Sequence, residues 1–190
     1  ATSPRPTAIA VIGVDAAGEN AIIVASGANL DTHAGQVPEE LLRPGTTVLC
    51  QNEIRFEETA AILARGRLAG ARTILNLAPA GPLTPTVLDT LDVLVVNEIE
   101  AQMAAGASAG EPVELARRLA QTHGLTCVVT LGKAGAIAVG PGDGWRVGSL
   151  AITPVDTTGA GEAFVGVLAA GLDAGQPMPE ALHRASVAAR

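Results

Sequence analysis

Asp92-Val93-Leu94-Val95-Val96-Asn97-Glu98-Ile99-Glu100 is an apolar run of strand length that breaks into polar residues, and the reading of this stretch decides the fold. The run predicts a strand over 92–96, and the polar residues behind it open a helix over 98–105. Asn97 and Glu100 then share one face of the first helical turn. Two readings of that pair stay open. It is an N-cap with its capping-box acid, or it is an amide and a carboxylate that organise the water shell of Mg2+.

The same strand-then-helix unit repeats on both sides. Upstream, strands are predicted over 46–51 and 72–77, with helices at 38–42, 56–69 and 84–90. Downstream come a helix at 112–123, strands at 126–131, 135–139 and 145–149, a helix at 159–173 and a last helix from 178. Strands that alternate with helices imply parallel crossovers and a doubly wound, mostly parallel α/β sheet with helices on both faces. Residues 7–14 and 20–25 flank a Gly-containing loop and read as a β-hairpin. The chain therefore divides into a hairpin at 1–30 and an α/β core at 31–190.

Composition narrows the function classes. A 190-residue chain with 48% apolar residues is a globular domain with one core. A net charge of −7 and 2% aromatic content oppose a nucleic-acid partner, which needs cationic surface and stacking rings. There is no apolar run approaching membrane-span length. Cys50 and Cys127 lie in separate apolar runs without a Cys-x-x-Cys or His partner, so they read as reduced, buried thiols of a cytoplasmic protein. The chain begins at Ala1, which suggests processing or excision from something longer.

Ligands of an open α/β sheet belong beyond the C-terminal ends of its strands. Four polar segments fall there: Gln51-Asn52-Glu53, Leu75 to Ala80, Asn97 to Glu100, and Thr130-Leu131-Gly132-Lys133-Ala134-Gly135. Glu53 is a candidate substrate contact or an exposed acid before the helix at 56. The Thr130 to Gly135 turn is not a Walker A loop, because no Ser or Thr follows Lys133. A fifth segment, Asp156-Thr157-Thr158-Gly159-Ala160-Gly161-Glu162-Ala163-Phe164, runs straight into an apolar helix. Its glycines can turn backbone N–H groups towards one point, where the helix macrodipole also favours an anion. Glu162 is then a base beside a phosphoryl group, or a first-turn acid that complements the dipole.

The segment from Asp156 to Phe164 resembles the second signature of the ribokinase-like (phosphofructokinase-B type) carbohydrate kinases, Asp-Thr-x-Gly-Ala-Gly-Asp, with Glu162 where the family carries Asp. Asn97-x-x-Glu100, the Thr-Leu-Gly-x-x-Gly turn at 130–135, Leu75 to Ala80 and Ser26-Gly27-Ala28-Asn29 resemble further family motifs, in the family's order. The resemblance implies an ATP-dependent sugar kinase that moves the γ-phosphoryl group to a sugar hydroxymethyl group. It makes Glu162 the catalytic base, and Gly159, Ala160 and Gly161 the anion hole. Asn97, Glu100, Thr130, Gly132 and Gly135 would attend ATP and Mg2+, while Glu53 and Asn29 would touch the sugar. Asp156 and Thr158 match the start of a monovalent-cation site, with K+ as its ion and the remaining ligands missing.

Members of that family are longer at both ends, so the chain is expected to lack a first βαβ unit, two lid strands and part of the adenine pocket. Its hairpin, short of those lid strands, is expected to pair with a second copy in a homodimer. Two other function classes fit the same residues: a homologue that binds nucleotide or phosphate without transfer, and a hydrolase that uses Glu162 to activate water.

Overall fold

The computed structural model describes residues 2–14, 20–150 and 159–189. Two sheets are present among them. The first is an antiparallel pair, β1 (Ile9–Val14) and β2 (Asn20–Ala25), with Val11 opposite Ile23. The second has six strands in chain order: β3 (Thr47–Cys50), β4 (Arg72–Asn76), β5 (Val93–Asn97), β6 (Thr126–Thr130), β7 (Ala136–Val139) and β8 (Gly144–Val147). From β3 to β6 neighbours are parallel, while β7 and β8 fold back as an antiparallel extension.

The central strands are apolar without interruption because both of their faces are covered. Alternate residues divide between two cores. Leu75, Leu94, Val96, Cys127 and Val129 point into the core shared with the four helices α1 (Phe56–Leu68), α2 (Pro85–Leu88), α3 (Glu98–Ala104) and α4 (Pro112–His123). Ile74, Val93, Val95 and Val128 point the other way, to α5 (Ala160–Asp173) and α6 (Met178–Ala188). Because strand order follows chain order, the helices linking the parallel strands lie on one face, and the two C-terminal helices close the other.

Helix α1 shows how local sequence sets an element. Thr59, Ile62, Leu63 and Gly66 are its buried residues, a spacing that keeps one stripe inward. Glu57 and Glu58 sit in its first turn and Arg65 and Arg67 in its last, each charge opposing the nearer end of the macrodipole. Arg65 also ties down the segment that precedes β3. Its guanidinium donates to the carbonyls of Ala34 and Val37 and to Glu39, and Glu58 accepts from Ala34 N–H at 2.8 Å.

The predicted elements fall close to the observed ones, with three differences. The helix expected at 38–42 is a 3-10 turn over Glu39–Leu41, held between Pro38 and Pro44. Helix α2 is four residues long, ending soon after the Thr84 hydroxyl caps Val87 N–H. Two further 3-10 turns, Gly27–Asp31 and Ala34–Gln36, carry no periodic signal in the sequence.

Both thiols are free; Cys127 is buried as expected, whereas Cys50 is only half-buried, and burial pushes Cys50 up to about 11 and Cys127 up to about 12. No helix of the described residues is long and apolar enough to cross a membrane.

Candidate active site

The parallel strands β3 to β6 all end at one edge of the sheet, and that edge collects the polar loops. Beyond β3, Asn52 N–H donates to Ala78 O at 3.0 Å and its side-chain amide donates to Pro79 O at 2.9 Å. The loops after β3 and β4 are thereby clamped together. The Asn29 side chain donates to the Glu53 carbonyl at 3.5 Å, so the two residues predicted to meet the sugar are neighbours. Glu53 is exposed and Asn29 is half-buried. The clamp by Asn52 was not legible beforehand, because its partners lie 26 and 27 positions away and carry no side-chain signature.

Beyond β5, Asn97 caps α3 with a reciprocal capping box. Its side-chain oxygen accepts from Glu100 N–H at 2.8 Å, and Glu100 Oε2 accepts from Asn97 N–H at 2.7 Å. The capping-box reading is therefore borne out. Glu100 is buried, and burial raises its pKa from 4.5 while the bond from Asn97 N–H pulls it down. Its other oxygen, Oε1, has no hydrogen bond among the described residues, which also contain no group of three side chains able to hold a metal ion. Direct ligation of Mg2+ by the pair does not fit this arrangement. A contact through water to Oε1 does.

Beyond β6, the segment from Leu131 to Gly135 is both a β-turn between antiparallel strands and the predicted nucleotide loop. Leu131 N–H donates to Gly135 O at 2.8 Å and Gly135 N–H to Gly132 O at 3.0 Å, with Gly132 to Ala134 in a 3-10 turn. Gly132 (φ +51°) and Gly135 (φ +90°) occupy the left-handed half of conformational space, which suits residues without Cβ. The Thr130 hydroxyl donates to Val96 O at 3.4 Å and joins this turn to β5.

Helix α5 brings the last group to the same edge. Its C-terminal end is fixed at the opposite edge, where Thr47 Oγ1 donates to Asp173 at 2.7 Å and Arg72 donates to the Leu172 carbonyl. A 14-residue helix spans about 21 Å, enough to cross the sheet, so its N-terminus emerges beside the polar loops. Gly159 is the N-cap, with φ +78°. The first bond of the helix is Ala163 N–H to Gly159 O at 2.9 Å. The amides of Ala160, Gly161 and Glu162 therefore belong to the turn that has no intrahelical acceptors. Gly159, Gly161 and Glu162 are exposed, and a side chain at either glycine would meet nothing within 4 Å. Asp156 and Thr158 lie outside the described residues. Two cavities, of about 490 and 320 Å³, lie away from this edge.

What this edge offers chemically is a set of unspent helix amides with an adjacent carboxyl, a glycine turn, and an acid beside an amide at the far strands. The comparisons point the same way. The sequence matches the pfkB family carbohydrate kinase pattern over residues 2–190. It is 30% identical to the ribokinase of Mus musculus over 88% of this chain and 54% of that protein. It is also 30% identical to the ribokinase of Schizosaccharomyces pombe, over 96% of this chain and 60% of that one.

Among solved structures, the ribokinase of Thermotoga maritima superposes with a TM-score of 0.86 at 29% identity, covering 97% of this chain and 62% of its own. The ribokinase of Arabidopsis thaliana, solved with ribose and ATP, gives 0.83 at 28% identity, covering 98% and 62%. The chain thus spans somewhat over half the length of these relatives. Fold and sequence match agree over almost every residue, and the chain belongs to the pfkB family of carbohydrate kinases.

Proposed function

We propose that the chain carries the phosphoryl-transfer half of an ATP-dependent, ribose-type sugar kinase. The observation that carries this reading is the N-terminus of α5, where three first-turn amides and the exposed Glu162 stand at the edge that also holds Asn29, Glu53 and the Thr130 to Gly135 turn. A sugar hydroxymethyl oxygen attacks the γ-phosphorus of ATP, the bond to the β-phosphate oxygen breaks, and ADP leaves. Glu162 accepts the hydroxyl proton. The amides around Gly159, Ala160 and Gly161 receive the negative charge that grows on the transferring group.

In this scheme Thr130, Gly132 and Gly135 seat the nucleotide, whose close approach the glycine backbone permits. Glu53 and Asn29 hold the sugar. Mg2+ would be held through water at Glu100 and would neutralise phosphate charge when bound. Asp156 and Thr158 are assigned to a K+ site. Unpaired neutral thiols suit a reducing compartment, and we assign the chain to the cytoplasm as a homodimer joined through its hairpin.

Glu162 reproduces the chemistry of the family's Asp with one more methylene. A displacement of about 1 Å at such a group can cost on the order of 10²-fold in rate. ADP release with ribose, measured for the wild type, Glu162→Gln and Glu162→Asp, tests the proposal. Expected are activity in the wild type, a loss of roughly 10²-fold or more in Glu162→Gln, and a gain in Glu162→Asp. Nucleotide binding without turnover in all three proteins would replace transfer by a binding role. Hydrolysis of an ester or phosphate in the absence of ATP would replace it by the water-activating one.

A further inference from the structure

The cavity of about 490 Å³ runs between α4 and the β7–β8 hairpin, from Ile137 and Arg146 to the turn after Val139. Strand β7 leaves the Gly135 turn and runs antiparallel to β6, so the chain reaches the far edge after Val139. There Gly140-Pro141-Gly142-Asp143-Gly144 turns back into β8, closed by Gly140 N–H donating to Asp143 O at 2.9 Å. This turn forms one wall, and α4 supplies the other through Val113, Arg117 and Gln121, which are four residues apart along the helix.

The floor is apolar and the rim carries two guanidinium groups. Ile137 and Val139 belong to the core and reach the cavity from β7, alongside Val113. Arg146 stands opposite Ile137 in the β7–β8 register, so its side chain lies on the same face of the sheet as Ile137, the face that α4 covers. Arg146 is exposed and has no ion pair or hydrogen bond to another described residue. Arg117 is linked to Glu114, one turn towards the start of α4. The ionisable residues of the lining are Arg117, Arg146 and Asp143, and with Arg117 paired to Glu114 the unpaired guanidinium of the lining is that of Arg146.

A cavity of this volume matches a small organic molecule. Guanidinium groups bind carboxylates and phosphates through paired hydrogen bonds, and an apolar floor rewards a short hydrocarbon body. We propose that this cavity binds a small organic anion of that form, at a site separate from the phosphoryl-transfer edge and independent of the activity there. The shared chemistry is an anionic head on an aliphatic body, and carboxylate and phosphate monoester are its two sources.

Trp145 stands opposite Ala138 and packs on the other face of the sheet, against the cluster of α5 and α6, so occupancy is read by the heat of titration in a calorimeter and not by tryptophan fluorescence. Titration with n-butyl phosphate and with pentanoate distinguishes the two sources, with inorganic phosphate and 1-butanol as probes of head and body alone. The expected result is a saturable change with at least one of the two amphipathic anions, and none with 1-butanol at equal concentration. Arg146→Gln and Arg117→Gln should each raise Kd about tenfold for that anion while circular dichroism stays unchanged. Absence of a saturable change with both anions, an equal response to 1-butanol, or an unchanged Kd in both variants would overturn the proposal.

Discussion

At Glu100 two effects oppose each other: burial disfavours the carboxylate, while the Asn97 N–H bond favours it, and burial prevails. The sign for stability is the reverse of that for a salt-bridged acid. With its pKa raised above the unfolded value of 4.5, the folded chain binds a proton more tightly than the unfolded chain does. The group's contribution is therefore fully present below about 4.5 and is lost as pH rises through the raised value. Glu100→Gln mimics the protonated form and keeps an oxygen for the Asn97 N–H. Urea unfolding from pH 4 to 7 should show the variant gaining on the wild type as pH rises. A stability difference that stays flat with pH would mean that burial of the charge is not felt there. Glu162, by contrast, is exposed, and its role is read in rate and not in stability.

The β6–β7 turn shows what an element demands of one position. Gly135 has φ +90°, and a Cβ placed on it would stand 2.0 Å from the Val147 carbonyl oxygen in β8. Gly135→Ala combines left-handed strain with a backbone clash, and should destabilise the chain by about 3 kcal/mol. Gly142→Ala, where a Cβ would meet nothing, should stay within about 0.5 kcal/mol by the same urea midpoint measurement. Equal midpoints for the two variants would show that β8 yields freely.

The sequence made Gly135 legible as a turn, because glycine between apolar runs is a local signal. It could not show Val147, which is brought there by strand pairing. The same division holds elsewhere. Strand and helix spans were readable from periodicity, and the Asn97–Glu100 cap from its spacing. The Asn52 clamp, the reach of Arg65 back to Ala34, and the cavity behind α4 all depend on contacts between distant segments, which no periodicity encodes.

On the scale of the whole molecule, the hairpin is the part whose burial is unfinished. Ile9 (60% exposed), Val11 (62%) and Ile23 (73%) share one face of the ribbon by their cross-strand register, and Ile12 (49%) and Val24 (56%) lie on the other. Exposed apolar residues on both faces set it apart from an edge sheet packed on its own domain, which shows one polar side. A two-stranded ribbon is marginal in water by itself, and two such ribbons from separate copies can cover each other's faces. The homodimer proposal is therefore a statement about these side chains. Lysine at position 23 would put a charge at the centre of the covered face. Light scattering should find the wild type dimeric and Ile23→Lys monomeric, with the thermal unfolding of the α/β core unchanged because, among the described residues, β1 and β2 pair only with each other. A wild type that stays monomeric at high concentration, while hydrogen exchange shows its hairpin amides protected, would remove the second copy from the explanation.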